Sequence, residues 1–142
     1  LTALKTTFID QPALRLITAK SKAFPKGNAE AMNSIESQLP TLRGRKFYGL
    51  AYESEDGMDY YAGLVPKGEM EEYRFAELGF PIREIPGGRC VRVKLRDWGT
   101  KTDLIGPMFS TMIREHGVDT SRPQMEFYQG MSELHLLLPV SA

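Results

Sequence analysis

Lys46-Phe47-Tyr48-Gly49 and Glu126-Phe127-Tyr128-Gln129 are the two stretches on which the reading of this chain turns. The two Phe-Tyr pairs lie 80 residues apart. Each opens a two-strand unit, the first stopping at Val65-Pro66 and the second at Leu138-Pro139. Each unit also follows a helix-like stretch. The repetition predicts a duplicated half-domain whose copies meet at a pseudo-twofold seam, and such a seam is a natural place for a pocket. Aligned on the repeat, Lys46 of the first copy stands where Glu126 stands in the second.

Working outward, Pro12 to Phe24 has a β-branched and Leu-rich centre and reads as a strand. Ala29 to Leu42 carries Met32, Ile35, Leu39 and Leu42 at spacings of three and four, one face of a helix that Pro40 brings to an end. Lys46–Glu53 and Asp59–Val65 form a hairpin around the polar turn Ser54-Glu55-Asp56-Gly57. Residues 68–81 read as a charged connector containing Tyr73, Phe75 and Phe80, placed to cover one end of the seam. Ile82–Ile85 and Arg89–Leu95 are strand-like around Pro86-Gly87-Gly88, with Val91, Val93 and Leu95 alternating against Arg92, Lys94 and Arg96. A helix is expected from about Thr102 to His116, with Thr102 as N-cap, Pro107 near its start and Gly117 as its stop. Met125–Gln129 and Glu133–Leu138 close the chain as a second hairpin.

This order predicts an α+β fold: a tandem pair of strand-helix-strand-strand modules, one antiparallel sheet, two main helices on one face and a central groove. Module one spans about residues 8–67, the connector 68–81 and module two about 82–142, within a single domain. A chain of 142 residues can bury an adequate core for that. The formal net charge of zero argues against direct nucleic-acid binding. No apolar run approaches a membrane span, and Leu1 to Lys5 has no apolar signal core. The single cysteine, Cys90, rules out an intrachain disulfide and fits a reducing compartment, so a cytoplasmic location is expected.

Alternation places Leu134, Leu136 and Leu138 under the helices. With Val65-Pro66 aligned to Leu138-Pro139, Tyr61, Gly63 and Val65 fall on the same side, Gly63 leaving room against the sheet. Lys46, Tyr48 and Leu50 share one face of the inner strand, as do Glu126 and Tyr128 in theirs; periodicity alone does not say which face meets the helices. Glu126 stands out as a carboxylate in a strand of Met, Phe and Tyr. Two readings stay open: an exposed Glu paired with a neighbouring Lys or Arg, or a desolvated carboxylate seeking a cation or a proton. In the second reading Glu126, Tyr128, Tyr48, Tyr61, Gly63 and Trp98 form an acidic aromatic box, with Met108 and Met112 on the helix beside it. His116 suits a helix end and His135 the outer sheet face, and neither has metal-ligand spacing. There is no phosphate-binding glycine loop and no Gly-x-Ser-x-Gly elbow, so no metal or cofactor is expected.

Glu84-Ile85-Pro86-Gly87-Gly88, then a strand and a helix, then Met125-Glu126-Phe127-Tyr128 and Glu133 to Val140, resembles the GyrI-like small-molecule-binding family. That family includes effector-binding domains of bacterial multidrug-sensing transcription regulators and stand-alone gyrase-inhibitor-like proteins. The resemblance implies a groove between the modules for hydrophobic, aromatic or cationic compounds, with Glu126 as its central glutamate. It also implies an alternative, a cyclopropanoid cyclopropyl hydrolase opening strained rings of DNA-alkylating compounds, with Glu126 activating water and Tyr128 or Tyr48 orienting the substrate. A third reading is a gyrase-modulating interaction protein. Regulators of this type carry a helix-turn-helix ahead of the domain; these residues contain none, so a homodimer partner, a regulator or gyrase is the expected macromolecular contact. The first module matches the family less well than the second, and His135 stands where an acidic or apolar residue is common.

Overall fold

The structure, a computed structural model, describes residues 4–130 and 132–142. The first three residues of the Leu1–Lys5 stretch lie outside them. The strands are β1 (Thr7–Gln11), β2 (Leu14–Lys20), β3 (Phe47–Ser54), β4 (Gly57–Leu64), β5 (Ile82–Ile85), β6 (Gly88–Arg96), β7 (Gln124–Tyr128) and β8 (Glu133–Pro139). The helices are α1 (Asn28–Glu36), α2 (Glu69–Glu77) and α3 (Ile105–His116), the last preceded by 3₁₀ turns at Trp98–Thr100 and Thr102–Leu104. All eight strands join one antiparallel sheet in the order β1-β6-β8-β7-β3-β4-β2-β5. The fold is α+β, with the helices on one face.

That order forces a curl. β1 and β2 are separated only by Pro12 and Ala13, and β5 and β6 only by Pro86 and Gly87, yet each pair occupies opposite ends of the sheet. Neither pair closes as a hairpin. Instead β1 pairs with β6 and β2 with β5, so the first strand of each half completes the other half. The two connectors cross in contact. A Cβ at Gly87 would stand 2.6 Å from the Gln11 carbonyl oxygen and 2.7 Å from the Ala13 amide nitrogen, so only glycine fits the crossing.

Three cores result. Val91, Val93, Leu134, Leu136 and Leu138 pack beneath Phe109 and Met112 of α3. Ile17, Phe47, Ala62 and Leu64 pack with Ile35 of α1 and Phe75 of α2. Leu16, Tyr48, Leu50, Ile85, Met125 and Leu137 form the third. These last residues come from the β5 edge and the centre of the sheet, and Ile9 of the other edge strand, β1, packs against them, so this core fills the inside of the curl and the helices lie outside it.

Several sequence expectations are corrected. The predicted strand 12–24 is β2 alone, ending at Lys20, and a further strand, β1, precedes it ahead of Pro12. Each half therefore opens with an extra strand, and the order strand-helix-strand-strand is incomplete. The helix expected over 29–42 ends at Glu36, ahead of Pro40. The helix expected from Thr102 has 3₁₀ geometry until Ile105. The connector holds a third helix, α2, which periodicity missed because it buries a single residue, Phe75. It is fastened by polar contacts: the buried Arg45 guanidinium donates to Glu71, whose Oε1 also accepts the Lys67 amide at 3.1 Å. Glu71 is held below its ordinary pKa, chiefly by the Arg45 hydrogen bond.

The crossing gives a direct test. Gly87→Ala should destabilise the fold by about 1–3 kcal/mol in denaturant unfolding, the usual cost of a forced overlap. Gly106→Ala, at an open helical position, should instead stabilise it by about 0.5–1 kcal/mol.

Candidate functional site

α1 packs over β4 and β2, and α3 over β8. The central pair β3–β7 therefore lies in the gap between the helices. Register decides what it presents there. Phe47 opposes Tyr128 and Gly49 opposes Glu126 across β3–β7, while Glu126 opposes Leu136 across β7–β8. Leu136 is under α3, so Glu126 and Tyr128 also face the helix side, with Phe47 and Gly49. Across β3–β4 the same side carries Tyr60, Ala62 and Leu64.

The doubled Phe-Tyr motif is thereby shown to be out of phase. Phe47 points to the helices, but in β7 it is Tyr128, not Phe127, that does so; Phe127 opposes Tyr48 inside the curl, 4.8 Å from it ring to ring. Lys46 is exposed just ahead of β3, with the parity of Tyr48. It is not the counterpart of Glu126, whose partner across the seam is Gly49. The placement of Tyr61, Gly63 and Val65 with the leucines is likewise corrected. These three lie on the concave side, because alignment of Val65-Pro66 with Leu138-Pro139 shifts β4 by one residue and reverses every side chain. Gly63 makes room there for Leu16, whose Cδ1 would stand 2.9 Å from an added Cβ.

Of the residues singled out from sequence, the fold brings Glu126, Tyr128 and Trp98 together. Tyr128 packs against the cores beneath both α1 and α3, and its ring meets Trp98 edge-on at 5.2 Å. Met108 is partly buried against the core beneath α3, and Met112 is sealed within it. Tyr48, Tyr61 and Gly63 stay on the other side of the sheet.

Two residues that sequence reasoning missed complete the site. Tyr60 lies on β4, two strands from Glu126, yet its Oη donates to Glu126 Oε1 at 3.2 Å. Tyr128 Oη donates to the same oxygen at 2.7 Å. Gly49 makes the first contact possible. A Cβ there would overlap the Tyr60 hydroxyl and stand 2.9 Å from Glu126 Oε1. The available signal was the alternation Tyr60-Ala62-Leu64, but Tyr61-Gly63-Val65 is equally apolar, and pattern alone does not separate the two faces.

One carboxylate oxygen is thus clamped by a phenol from each half. Among the described residues Oε2 takes no hydrogen bond, and Glu126 has no cationic partner. The side chain is deeply surrounded by protein yet keeps partial solvent contact. Burial pushes its pKa above the ordinary carboxylate value, and the bonds from Tyr128 and Tyr60 offset this in part. Burial, then the nearby Glu126 charge, raises both phenols, so they remain donors across the physiological range. The arrangement presents a negative charge with one open oxygen on an aromatic floor. It can bind a cation or exchange a proton.

No family model matches the chain, and no curated protein matches it. Solved structures do share its fold. The EcmrR C-terminal domain superposes with a TM-score of 0.66 at 12% identity, covering 99% of each chain. SAV2435 bound to tetraphenylphosphonium gives 0.65 at 12% identity, over 98% of this chain and 95% of that one. A hydrolase from Listeria innocua gives 0.60 at 17% identity, over 99% and 94%. At these identities the likeness is one of fold. Among the described residues, no helix is long and apolar enough to cross a membrane.

The buried charge has a stability consequence. Glu126 binds its proton more tightly in the folded state than in the unfolded chain. Stability from this group is greatest below the ordinary carboxylate pKa and falls as pH rises through the raised folded value. Glu126→Gln keeps an acceptor for the phenols and removes the charge. Thermal unfolding should find it more stable than wild type by about 1–2 kcal/mol at about pH 8, and nearly equal to it at about pH 4.

Proposed function

We propose that this domain binds hydrophobic, aromatic or cationic small molecules in the gap between α1 and α3, with Glu126 as the anchor for positive charge. The observation that carries the reading is the carboxylate itself: half-buried, unpaired with any described cation, and fixed on one oxygen by Tyr60 and Tyr128 so that the other is open. Keeping such a group costs stability, and a ligand cation would offset that cost. Tyr128 and the neighbouring Trp98 add ring faces and edges that suit an apolar cation. SAV2435, alike in fold, was solved with tetraphenylphosphonium bound, and EcmrR, whose C-terminal domain is alike in fold, was solved in a complex with DNA, which supports a regulator-related role.

A second reading draws on the same group. A carboxyl with a raised pKa beside a phenol is suited to general-base catalysis, and a hydrolase is among the neighbours of like fold. Here Glu126 takes a proton from a water whose oxygen bonds to a ring carbon as the strained C–C bond breaks, the electrons of that bond passing to the electron-withdrawing group the ring carries, and Tyr128 positions the substrate. Incubation with a cyclopropane-bearing alkylator, followed by mass spectrometry, separates the readings. Ring-opened product that depends on Glu126 favours the hydrolase; unchanged compound removes it for that class.

Binding is tested with a pair of ions of equal shape and opposite charge. Titrations should give tighter binding of tetraphenylphosphonium than of tetraphenylborate, and Glu126→Gln should weaken the cation by about tenfold or more while narrowing the difference. Cation affinity should rise with pH above the ordinary carboxylate range, as Glu126 ionises. Equal affinity for both ions, or an unaffected Gln variant, contradicts the assignment.

A further inference from the structure

Tyr60 and Tyr128 each lean on a second aromatic ring. Trp98 backs Tyr128, and Phe24 backs Tyr60 at 6.2 Å between centroids with the planes tilted by 39°. The result is a continuous row, Phe24–Tyr60–Glu126–Tyr128–Trp98, running from one half of the fold to the other. Its two ends differ. Trp98 is packed against the core beneath α3. Phe24 is 47% exposed, although the tyrosine it covers is only 3% exposed.

The segment that carries Phe24 is a built turn. The Ser21 amide donates to the Tyr60 carbonyl at 2.8 Å, tying the turn to the strand beneath it. Ser21 Oγ donates to the Ala23 carbonyl at 3.0 Å, and the Asn28 amide to the Pro25 carbonyl at 3.2 Å. The turn is closed so tightly that a Cβ on Gly27 would stand 2.8 Å from Ser21 Oγ. Folding therefore fixes a large apolar ring in a half-exposed position directly over the outer tyrosine of the carboxylate clamp. Burial of Tyr60 alone would be served by an aliphatic side chain. An aromatic ring leaves a flat, solvent-facing surface that a second ring can stack upon.

We propose that Phe24 is a specificity-determining residue, the aromatic wall at the module-one end of the groove, and that it selects ligands bearing an aryl group next to their positive charge. The assignment rests on the cation-binding reading above. Glu126 recognises the charge and is indifferent to what surrounds it; Phe24 adds ring-on-ring stacking that only an aryl-bearing cation takes up, beyond the general attraction of a ring face for any lipophilic cation. The two ends then act separately.

The test compares tetraphenylphosphonium with tetrabutylphosphonium, equal in charge and differing in aryl content. Binding is measured by calorimetry to wild type, Phe24→Leu, Phe24→Ala and Glu126→Gln. Phe24→Leu keeps most of the apolar cover on Tyr60, so it guards against misfolding in the alanine variant. Both Phe24 variants should lose about three- to tenfold in affinity for the tetraphenyl cation, the range of an aromatic pair, and clearly less for the tetrabutyl cation. Glu126→Gln should weaken both. Equal losses for the two cations, or none, in Phe24→Leu would overturn the role of Phe24 while leaving the anchor intact. Failure of wild type to bind either cation would overturn the cation reading and this inference with it.

Discussion

The crossing of two short connectors, Pro12-Ala13 over Pro86-Gly87, is the constraint on which the rest depends. Because each leading strand pairs in the opposite half, the sheet curls until the two connectors touch, and β3 and β7 become its central pair. Only then does the chain have a seam with one helix on each side. The seam is closed by few groups, and its one charge, Glu126, is shared between the halves. Tyr60 reaches it from the first and Tyr128 from the second.

That arrangement costs stability. A carboxylate among Phe, Tyr and Trp is an expensive choice for a core, and the two phenols recover only part of the desolvation penalty. They also do something an apolar core would not. By donating to one oxygen they fix the rotamer and leave the other without a protein donor, so the charge is pre-organised as the proposed cation anchor requires. Gly49 shows that the surroundings are fitted to this purpose. It leaves β3 bare where the Tyr60 hydroxyl must pass over to meet Glu126.

Much of this was legible in the sequence, for identifiable reasons. The hairpins of β3–β4 and β7–β8 were marked by turn residues and apolar runs, and Glu126 stood out because its neighbours are Met and Phe. Parity was the weak point. The strands around the seam are apolar on both faces, one toward the helices and one into the curl, so alternation carries little information and a one-residue shift goes unseen. That is why Tyr61 was grouped with the site in place of Tyr60, and why Phe47-Tyr48 and Phe127-Tyr128 read as equivalent when their phases are opposite. The strand β1 and the helix α2 escaped for a different reason. The first depends on pairing with a strand some 80 residues away, and the second on the Arg45–Glu71 ion pair, neither of which leaves a periodic trace.

The central claim is that the Glu126 charge and a ligand cation stabilise one another in the groove. Carbon-13 NMR of the Glu126 side-chain carboxyl, titrated against pH with and without tetraphenylphosphonium, measures this on the group itself. The account predicts a carboxyl that titrates above the ordinary range in the free protein and shifts to lower pH when the cation is bound. A titration curve that saturating cation leaves in place would contradict it.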